Sequence, residues 1–206
     1  GGIIYDIAAG TETTIPGTEG LAVQDFAPGP EKGSYYYQSN DGIYDQDGNE
    51  ILLNSKIFDL YSYGSTLYLG EDSGIIHRYD MKSKTFLDDL TVPDQVNKML
   101  YSEEDQILFV AGEVNGLYCV DFSSGEPVTT LAGNLDNKSQ LTDLMIDYEG
   151  NLWIASHYIA ASGVSIITKN ALSELLYDDP IWQALDAPPA YDRNVYAVER
   201  YGEILY

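Results

Sequence analysis

Acidic and amide side chains recur at one place in the sequence, directly after a short apolar strand that ends in a small residue. Glu71 and Asp72 follow one such strand, and Glu113 and Asn115 follow the next. Carboxylate and amide oxygens bind divalent cations, and a carboxylate also serves as a general acid or base. If the strands are arranged around an axis, these residues meet at one opening. Otherwise they are solvated loop tips, which is the simpler interpretation.

The histidines and the single cysteine form no catalytic or metal-binding pattern. His77 and His157 are eighty residues apart, and a zinc site needs three or four convergent ligands. The nucleophile motif Gly-x-Ser-x-Gly is absent from the sequence. Cys119 lies in an apolar strand and is expected to be buried as a small hydrophobic residue. We therefore predict no catalytic residue, no metal centre and no cofactor, with His77 and Arg78 as a surface pair.

The segment DQDGNE, from Asp45 to Glu50, has some of the oxygen ligands of a calcium-binding loop. It lacks the third ligand before the glycine and the distant bidentate glutamate that a helix-loop-helix calcium site uses. Asp47-Gly48 between two apolar pairs is instead typical of a two-residue hairpin turn. A turn is therefore the preferred interpretation.

The chain of 206 residues is strongly acidic, with 33 Asp and Glu against 10 Lys and Arg, and its net charge is −23. Such a surface repels phosphate groups, so nucleic acids and anionic membranes are not expected partners. Cations, neutral sugars and basic proteins are compatible with it. Hydrophobic residues make up 44% of the chain, which favours a folded domain over disorder. No run of 18 apolar residues is present, so no membrane insertion of this segment is predicted.

A repeat with a period of about forty residues indicates the fold. Tyr68, Phe109 and Trp153 mark the centres of three similar segments, at spacings of 41 and 44 residues. In each segment a hairpin turn precedes an apolar strand, and a glycine precedes the next strand. These glycines are Gly74, Gly116 and Gly163. A period in this range with about four strands per unit is typical of the blades of a β-propeller.

We predict an all-β fold, a single β-propeller domain of four-stranded antiparallel blades over residues 1–206. The complete blades are predicted over residues 21–54, 57–90, 96–132 and 141–175. Residues 1–15 match only the outer strands of a blade, and residues 194–206 match only the inner strands. Joined as one composite blade, they would close a ring of five blades and remove the exposed strand edges. The alternative is a fragment of a larger, seven-bladed propeller.

The period is broken between Lys169 and Arg193. ALSELLY, which begins at Ala171, is predicted as one or two helical turns. PIWQAL, which begins at Pro180, and the proline pair at 188–189 are predicted as an ordered loop. Insertions of this kind often carry function, because a rigid scaffold presents them.

The segment 141–167, LTDLMIDYEGNLWIASHYIAASGVSII, resembles the two-component regulator propeller repeat. The matching residues are Asp147, Gly150, Asn151, Leu152, Trp153, Ile154 and Gly163. The copies at 57–80 and 96–121 match more loosely, and the resemblance covers about two thirds of the chain. It implies a propeller from the extracytoplasmic sensory part of a bacterial signalling protein, often a glycan-responsive one, with transmembrane and output modules elsewhere. The motif residues themselves are expected to be structural, in a turn and between blades.

The leading functional hypothesis is a non-catalytic recognition or sensory domain in the bacterial periplasm or at the cell surface. Its expected partner is a small molecule, a glycan or a neighbouring protein domain, and a homo-oligomer is a further option. The candidate ligand contacts are Glu71, Asp72, Glu113, Asn115, His157, Tyr158 and Trp182. One alternative is a metal-dependent propeller hydrolase or lactonase, which needs several carboxylate or Asn side chains near the ring axis. The other is a protein-interaction or adhesion module.

Overall fold

The computed structural model describes residues 2–6, 9–15, 18, 20–40, 42–53, 56–132, 140–157, 163–172, 183–185, 200–201 and 204–205. These residues form the predicted all-β, propeller-like fold, in which four-stranded antiparallel sheets follow one another along the chain. The chain divides into two compact units. The first comprises Gly1–Glu71 and His77–Asp89, and the second comprises Asp72–Ile76 and Leu90–Tyr206. Within the described residues, no helix is both long and apolar enough to span a membrane.

The first unit begins with β1 (Ile3–Asp6) and β2 (Thr11–Thr14), which pair as an antiparallel two-stranded sheet. The first complete blade follows, with its strands side by side in chain order. Its strands are β3 (Val23–Pro28), β4 (Tyr35–Ser39), β5 (Gly42–Asp45) and β6 (Glu50–Leu53). Aromatic and β-branched residues, which favour strands, dominate β4 and β5. All four strands lie within the blade predicted over residues 21–54.

The second blade has an interrupted outer strand. Its strands are β7 (Ile57–Tyr63), β8 (Thr66–Glu71), β9 (Ile75–Asp80), β10 (Thr85–Phe86) and β11 (Leu90–Thr91). Both β10 and β11 pair with β9, so the outer strand of this blade is interrupted at residues 87–89. There the Arg78 side chain, rather than a backbone amide, donates to the Asp88 carbonyl oxygen (Nε to O, 2.7 Å).

The third and fourth blades lie in the second unit. The third has β12 (Val96–Ser102), β13 (Ile107–Gly112), β14 (Leu117–Asp121) and β15 (Val128–Leu131). The fourth has β16 (Leu141–Ile146), β17 (Leu152–Ser156), β18 (Gly163–Ile167), the helical turn α1 (Lys169–Leu172) and β19 (Gln183–Leu185). The helical turn overlaps the predicted segment ALSELLY only at Ala171 and Leu172 and begins two residues earlier, and the remainder of that segment (173–177) lies outside the described residues. The loop predicted for PIWQAL is wrong at its end, because Gln183–Leu185 pairs with β18 as the fourth strand.

The chain ends with a short antiparallel hairpin formed by β20 (Arg200–Tyr201) and β21 (Ile204–Leu205). This hairpin was predicted as the inner half of the composite blade. The inner strand predicted at 194–199 lies outside the described residues. Closure of a ring by the two terminal hairpins stays a prediction.

The inner strand of each complete blade contains a β-bulge at the same place. The register shifts between Val23 and Asp25, Ile57 and Asp59, Val96 and Lys98, and Leu141 and Asp143. The extra residues at these positions are Gln24, Phe58, Asn97 and Thr142. An extra residue bends the strand and changes the direction of its side chain. The bulge therefore gives each blade one irregular position near the start of its inner strand.

Each unit has its own hydrophobic core. In the first unit, Ile43 of the first blade packs in one cluster with Leu60 and Leu67 of the second. In the second unit, Phe109 and Cys119 of the third blade pack with Leu144 of the fourth. Cys119 is 1% exposed, and its burial raises the pKa of the thiol to about 12. The thiol is therefore a core group, as predicted, and not a nucleophile at neutral pH.

Candidate functional site

Glu71 ends β8 and is held by a histidine of its own unit. The Nε2 atom of His77 lies 3.0 Å from Glu71 Oε1, and its Nδ1 atom lies 2.9 Å from Asp89 Oδ1. His77 therefore connects the second strand of the blade to the interruption of its outer strand. The surface pair predicted between His77 and Arg78 is wrong, because Arg78 binds the Asp88 carbonyl oxygen instead.

The two carboxylates favour the imidazolium form of His77. Burial of the ring opposes its charge, but hydrogen bonds to Asp89 and Glu71, together with their negative charges, raise the pKa of His77 above its ordinary value. In the imidazolium form both ring nitrogens donate. Glu71 thus has a structural role as an acceptor within the blade.

Glu113 lies in the loop after β13 and is the centre of a hydrogen-bond network in the second unit. Its two carboxylate oxygens accept hydrogen bonds from Asn97 Nδ2 at 2.8 Å and from Gln140 Nε2 at 2.9 Å. Asn97 Nδ2 also donates to the Leu141 carbonyl oxygen at 3.0 Å. The network therefore fastens the third blade to the first residues of the fourth.

His157 joins this network through its backbone. Its N–H donates to the Gln140 carbonyl oxygen at 2.9 Å, while the Gln140 N–H donates to the Glu113 carbonyl oxygen at 2.7 Å. Gln140 has a φ of 62°, a conformation that is uncommon for a residue with a side chain. The structure therefore brings two predicted contacts, Glu113 and His157, together around Gln140, which sequence reasoning missed.

Asn115 and Asp72 lie in exposed turns of the second unit. The Asp94 carboxylate accepts the backbone N–H of Asn115 at 2.7 Å and that of Val114 at 3.1 Å. This carboxylate fixes the loop that carries Asn115. The side chains of Asn115 and Asp72 remain candidate contacts. Tyr158 and Trp182 lie outside the described residues, so their predicted roles stay predictions.

No group of three or more His, Cys, Asp or Glu side chains in the described part of the chain is placed to hold a metal ion. In the DQDGNE segment, Asp45 Oδ1 accepts the N–H groups of Asp47 at 3.0 Å and Asn49 at 2.8 Å. Asp45 also pairs with Asn49 through the backbone, and Gly48 has a φ of 80°. The predicted turn is thus present, but its loop has three residues (46–48) rather than two.

Asp147 forms the same turn in the fourth blade and also binds the tryptophan of the repeat. Its carboxylate accepts the N–H groups of Glu149 and Asn151, the Asn151 side-chain amide and the Trp153 indole N–H, the last at 2.8 Å. Burial opposes ionisation, but the hydrogen bonds, first that of Trp153 and then those of Asn151, lower the pKa of Asp147 below its ordinary value. The residues that carry the repeat motif are therefore structural, as expected.

A pocket of about 390 Å³ lies in the first unit, where the first and second blades begin their inner strands. Gln24, Gln38, Asn40, Lys56 and Phe58 contribute to its lining. Phe58 is 49% exposed, although it is a large aromatic residue within a strand. Gln38 Nε2 donates to the Ile57 carbonyl oxygen at 2.8 Å, so this wall of the pocket is fixed. The arrangement combines amide groups with one aromatic ring, and the Asp25 and Lys56 side chains add one charge of each sign to the lining.

This pocket was missed by sequence reasoning, although one signal for it exists. Asn40 directly follows β4, the second strand of its blade, as Glu113 follows β13 in the third blade. Its φ is 51°, which asparagine tolerates better than most residues. Gln24 and Phe58 are bulge residues, and a bulge is a property of strand pairing that one sequence does not display.

No protein-family model matches the chain, and no curated protein sequence matches it. Among solved structures, it is similar to the extracellular domain of the hybrid two-component system BT4673 from B. thetaiotaomicron, with 18% identity, a TM-score of 0.68 and coverage of 96% of this chain. The chain spans 27% of that structure. It is also similar to a chain of the mitotic checkpoint complex, with 14% identity and a TM-score of 0.60, covering 95% of this chain and 76% of the other. Similarity at these identities shows the fold, which serves different functions in the two proteins.

Proposed function

We propose that the chain is a non-catalytic, ligand-sensing domain of a bacterial signalling protein and that it works outside the cytoplasm, in the periplasm or at the cell surface. The observation that carries the proposal is the pocket formed by Gln24, Asn40 and Phe58 at one end of the first unit. The similarity to the extracellular domain of a hybrid two-component system supports a sensor among the many functions of this fold.

The chemistry of the pocket favours a hydroxyl-rich ligand such as a sugar. Each amide of Gln24 and Asn40 offers both a donor and an acceptor, which matches the dual character of a hydroxyl group. The exposed ring of Phe58 offers an apolar surface for the C–H face of a sugar. The volume of about 390 Å³ lies within the range of small-molecule sites. The net charge of −23 does not repel a neutral sugar.

The pocket is placed where a ligand would act on two blades of the first unit. Gln38 of the first blade donates to the Ile57 carbonyl oxygen of the second. Leu60 N–H of the second blade donates to Asp25 Oδ2 of the first at 3.0 Å. A ligand that contacts Gln24 and Phe58 would therefore favour one arrangement of this contact, and a neighbouring domain would respond to the shift in population.

The test is a thermal unfolding screen with neutral monosaccharides and disaccharides, on the wild type and on two pocket variants. A sugar present at about a hundred times its dissociation constant stabilises the folded state by about 2.7 kcal/mol. For a chain of this size this corresponds to a rise in Tm of about 5–10 °C. Phe58→Ala removes the exposed ring. Asn40→Gly removes the amide and keeps a residue that accepts positive φ.

The control is Tyr148→Ala, which removes a similarly exposed aromatic ring in the second unit. We expect the stabilising sugar to lose its effect on both pocket variants and to keep it on the control. The proposal is wrong if none of the sugars raises Tm, or if the rise is the same in Phe58→Ala as in the wild type.

A further inference from the structure

A second concave surface lies between two hairpins of the second unit. It is a groove of about 460 Å³ between the turn that joins β12 to β13 and the turn that joins β16 to β17. Its apolar floor contains Leu100, Leu144 and Ile146. Leu100 and Ile146 are only partly buried and rest on the core cluster of this unit. The floor therefore offers apolar surface that an extended segment could cover.

The two rims of the groove are acidic. Glu103 and Glu104 lie on one rim and Glu149 lies on the other, and all three are exposed. Asp105 and Asp147 also line the groove, but they serve their own turns. Asp105 accepts the Ser102 hydroxyl at 2.6 Å, and Asp147 accepts the turn amides described above. Glu149 also accepts the Asn151 side-chain amide, at the longer distance of 3.3 Å. The three glutamates are the exposed carboxylates of the two rims.

The groove already receives a basic side chain from its own chain. The Lys169 ammonium nitrogen lies 2.6 Å from Glu104 Oε2. Its aliphatic stem lies over Gly150, where an added Cβ would come within 2.9 Å of Lys169 Cδ. A lysine therefore docks here with its stem on the opposite hairpin and its charge on the rim. This intramolecular contact shows which ligand chemistry the groove accepts.

An exposed aromatic ring at the edge of the groove provides a second way to bind a cation. Tyr148 is 67% exposed and lies next to Glu149 at the edge of the groove. A guanidinium or ammonium group gains energy over the face of such a ring, and carboxylates nearby add to the attraction. The apolar floor, the two acidic rims and the exposed ring together match a segment in which basic and apolar residues alternate.

We propose that this groove, between the 102–106 and 147–150 hairpins, binds a basic segment of a partner protein. Its arginine or lysine side chains would pair with Glu103, Glu104 and Glu149, and its apolar side chains would lie on Leu100 and Ile146. The charge of the chain agrees with this partner, because a surface with an excess of 23 negative charges attracts basic proteins at long range. The proposal does not depend on the ligand-sensing function.

The test measures binding of a fluorescein-labelled peptide, Arg-Leu-Arg-Leu-Arg, to the whole chain by fluorescence anisotropy. The rim variant carries Glu103→Gln, Glu104→Gln and Glu149→Gln. The matched control carries Glu12→Gln, Glu50→Gln and Glu126→Gln, three exposed glutamates elsewhere on the chain. We expect the rim variant to weaken binding about tenfold or more, and the control to change it less than about twofold. Equal losses in the two variants would show general charge attraction and overturn the proposal.

The apolar part of the proposal has its own measurement. The peptide Arg-Gly-Arg-Gly-Arg keeps the charge and removes the leucines, so we expect it to bind about tenfold more weakly. Equal affinity for the two peptides would contradict docking on the floor of the groove.

Two further results would also overturn the proposal. One is a rise in Tm with calcium ions alone that the rim variant abolishes, and the other is a homodimer in sedimentation that the rim variant dissociates.

Discussion

Single aspartates organise the Asp-x-x-Gly-Asn turns of this chain. Asp147 accepts hydrogen bonds from Glu149, Asn151 and Trp153, and Asp45 accepts the equivalent bonds from Asp47 and Asn49. The turns differ at one point, because Ile51 stands where the Asp147 turn has Trp153, and isoleucine has no N–H group in its side chain. This pair therefore allows the contribution of the tryptophan contact to be measured within one protein.

Asp147→Ala is expected to lower the free energy of unfolding by about 2 kcal/mol, since it removes the turn acceptors and the partner of a partly buried indole N–H. Asp45→Ala should cost about 1 kcal/mol, because it removes only the turn acceptors. Urea unfolding of both variants measures the difference. Equal losses would show that the Trp153 hydrogen bond contributes nothing to stability.

His77 gives the chain a predicted pH dependence. The carboxylates of Asp89 and Glu71 raise the pKa of His77 in the folded state. The resulting stability is fully present below about pH 6.5, the ordinary value for an unfolded histidine, and is lost as the pH rises through the raised folded pKa. We expect the free energy of unfolding of the wild type to fall across this window and the fall to be smaller in His77→Gln. An identical pH profile for both proteins would contradict the role assigned to His77.

Glu71 and Glu113 show which properties of single residues could be predicted from the sequence and which could not. Glu113 follows β13 as predicted, whereas Glu71 is the last residue of β8 and corresponds to Gly112 rather than to Glu113. Their partners could not be predicted, because strand pairing brings His77 to Glu71, and Gln140, a residue with positive φ, reaches Glu113. Of these two predicted ligand contacts, Glu71 therefore binds a histidine within its own blade, and Glu113 holds the third blade to the fourth.

At the scale of elements, the strand pattern was largely predictable. The strands of the first three blades lie within the predicted bounds or one residue beyond them, whereas the fourth blade continues to Leu185, past its predicted end at residue 175. The strand Gln183–Leu185 was missed because its pairing with β18 follows a long insertion, and three residues carry no clear alternation. The bulges also could not be predicted from the sequence. The position of Phe58 in the lining of the pocket was therefore missed, because Phe58 is a bulge residue.

Gly74 directly precedes β9 and is one of the three glycines of the repeat. Its φ is 85°, and an added Cβ would lie 2.1 Å from the Val92 carbonyl oxygen and 2.6 Å from that of Asp94. A side chain there would therefore crowd the segment that leads to the next blade. Gly74→Ala is therefore expected to cost about 3 kcal/mol or more, through backbone strain and a clash with backbone atoms.

Gly125→Ala is the matched control for this prediction. Gly125 also has a positive φ, 89°, but an added Cβ there meets no atom within 4 Å. Gly125→Ala should lower the free energy of unfolding by only about 1 kcal/mol, because it introduces backbone strain without a clash. Thermal or urea unfolding of the two variants separates the clash from the strain. Similar losses would show that Gly74 is required for its backbone conformation alone.

At the scale of the whole molecule, each of the two units has a concave surface, and the two surfaces differ in chemistry. The first has a pocket of amides and an aromatic ring, and the second has an apolar groove with acidic rims. The sequence predicted the propeller-like fold and a surface that suits neutral or basic partners. It did not place either site, because both depend on which hairpins and bulges become neighbours.

The central claim is that the pocket of the first unit is the sensory site. Its most direct test is a titration of the ¹⁵N-labelled chain with each sugar of the screen, followed by amide NMR. We predict that one sugar shifts the side-chain amide signals of Gln24 and Asn40 and the backbone signal of Phe58, while the signals of Glu104 and Tyr148 stay unchanged. Shifts confined to the second unit, or none with any sugar, would contradict the claim.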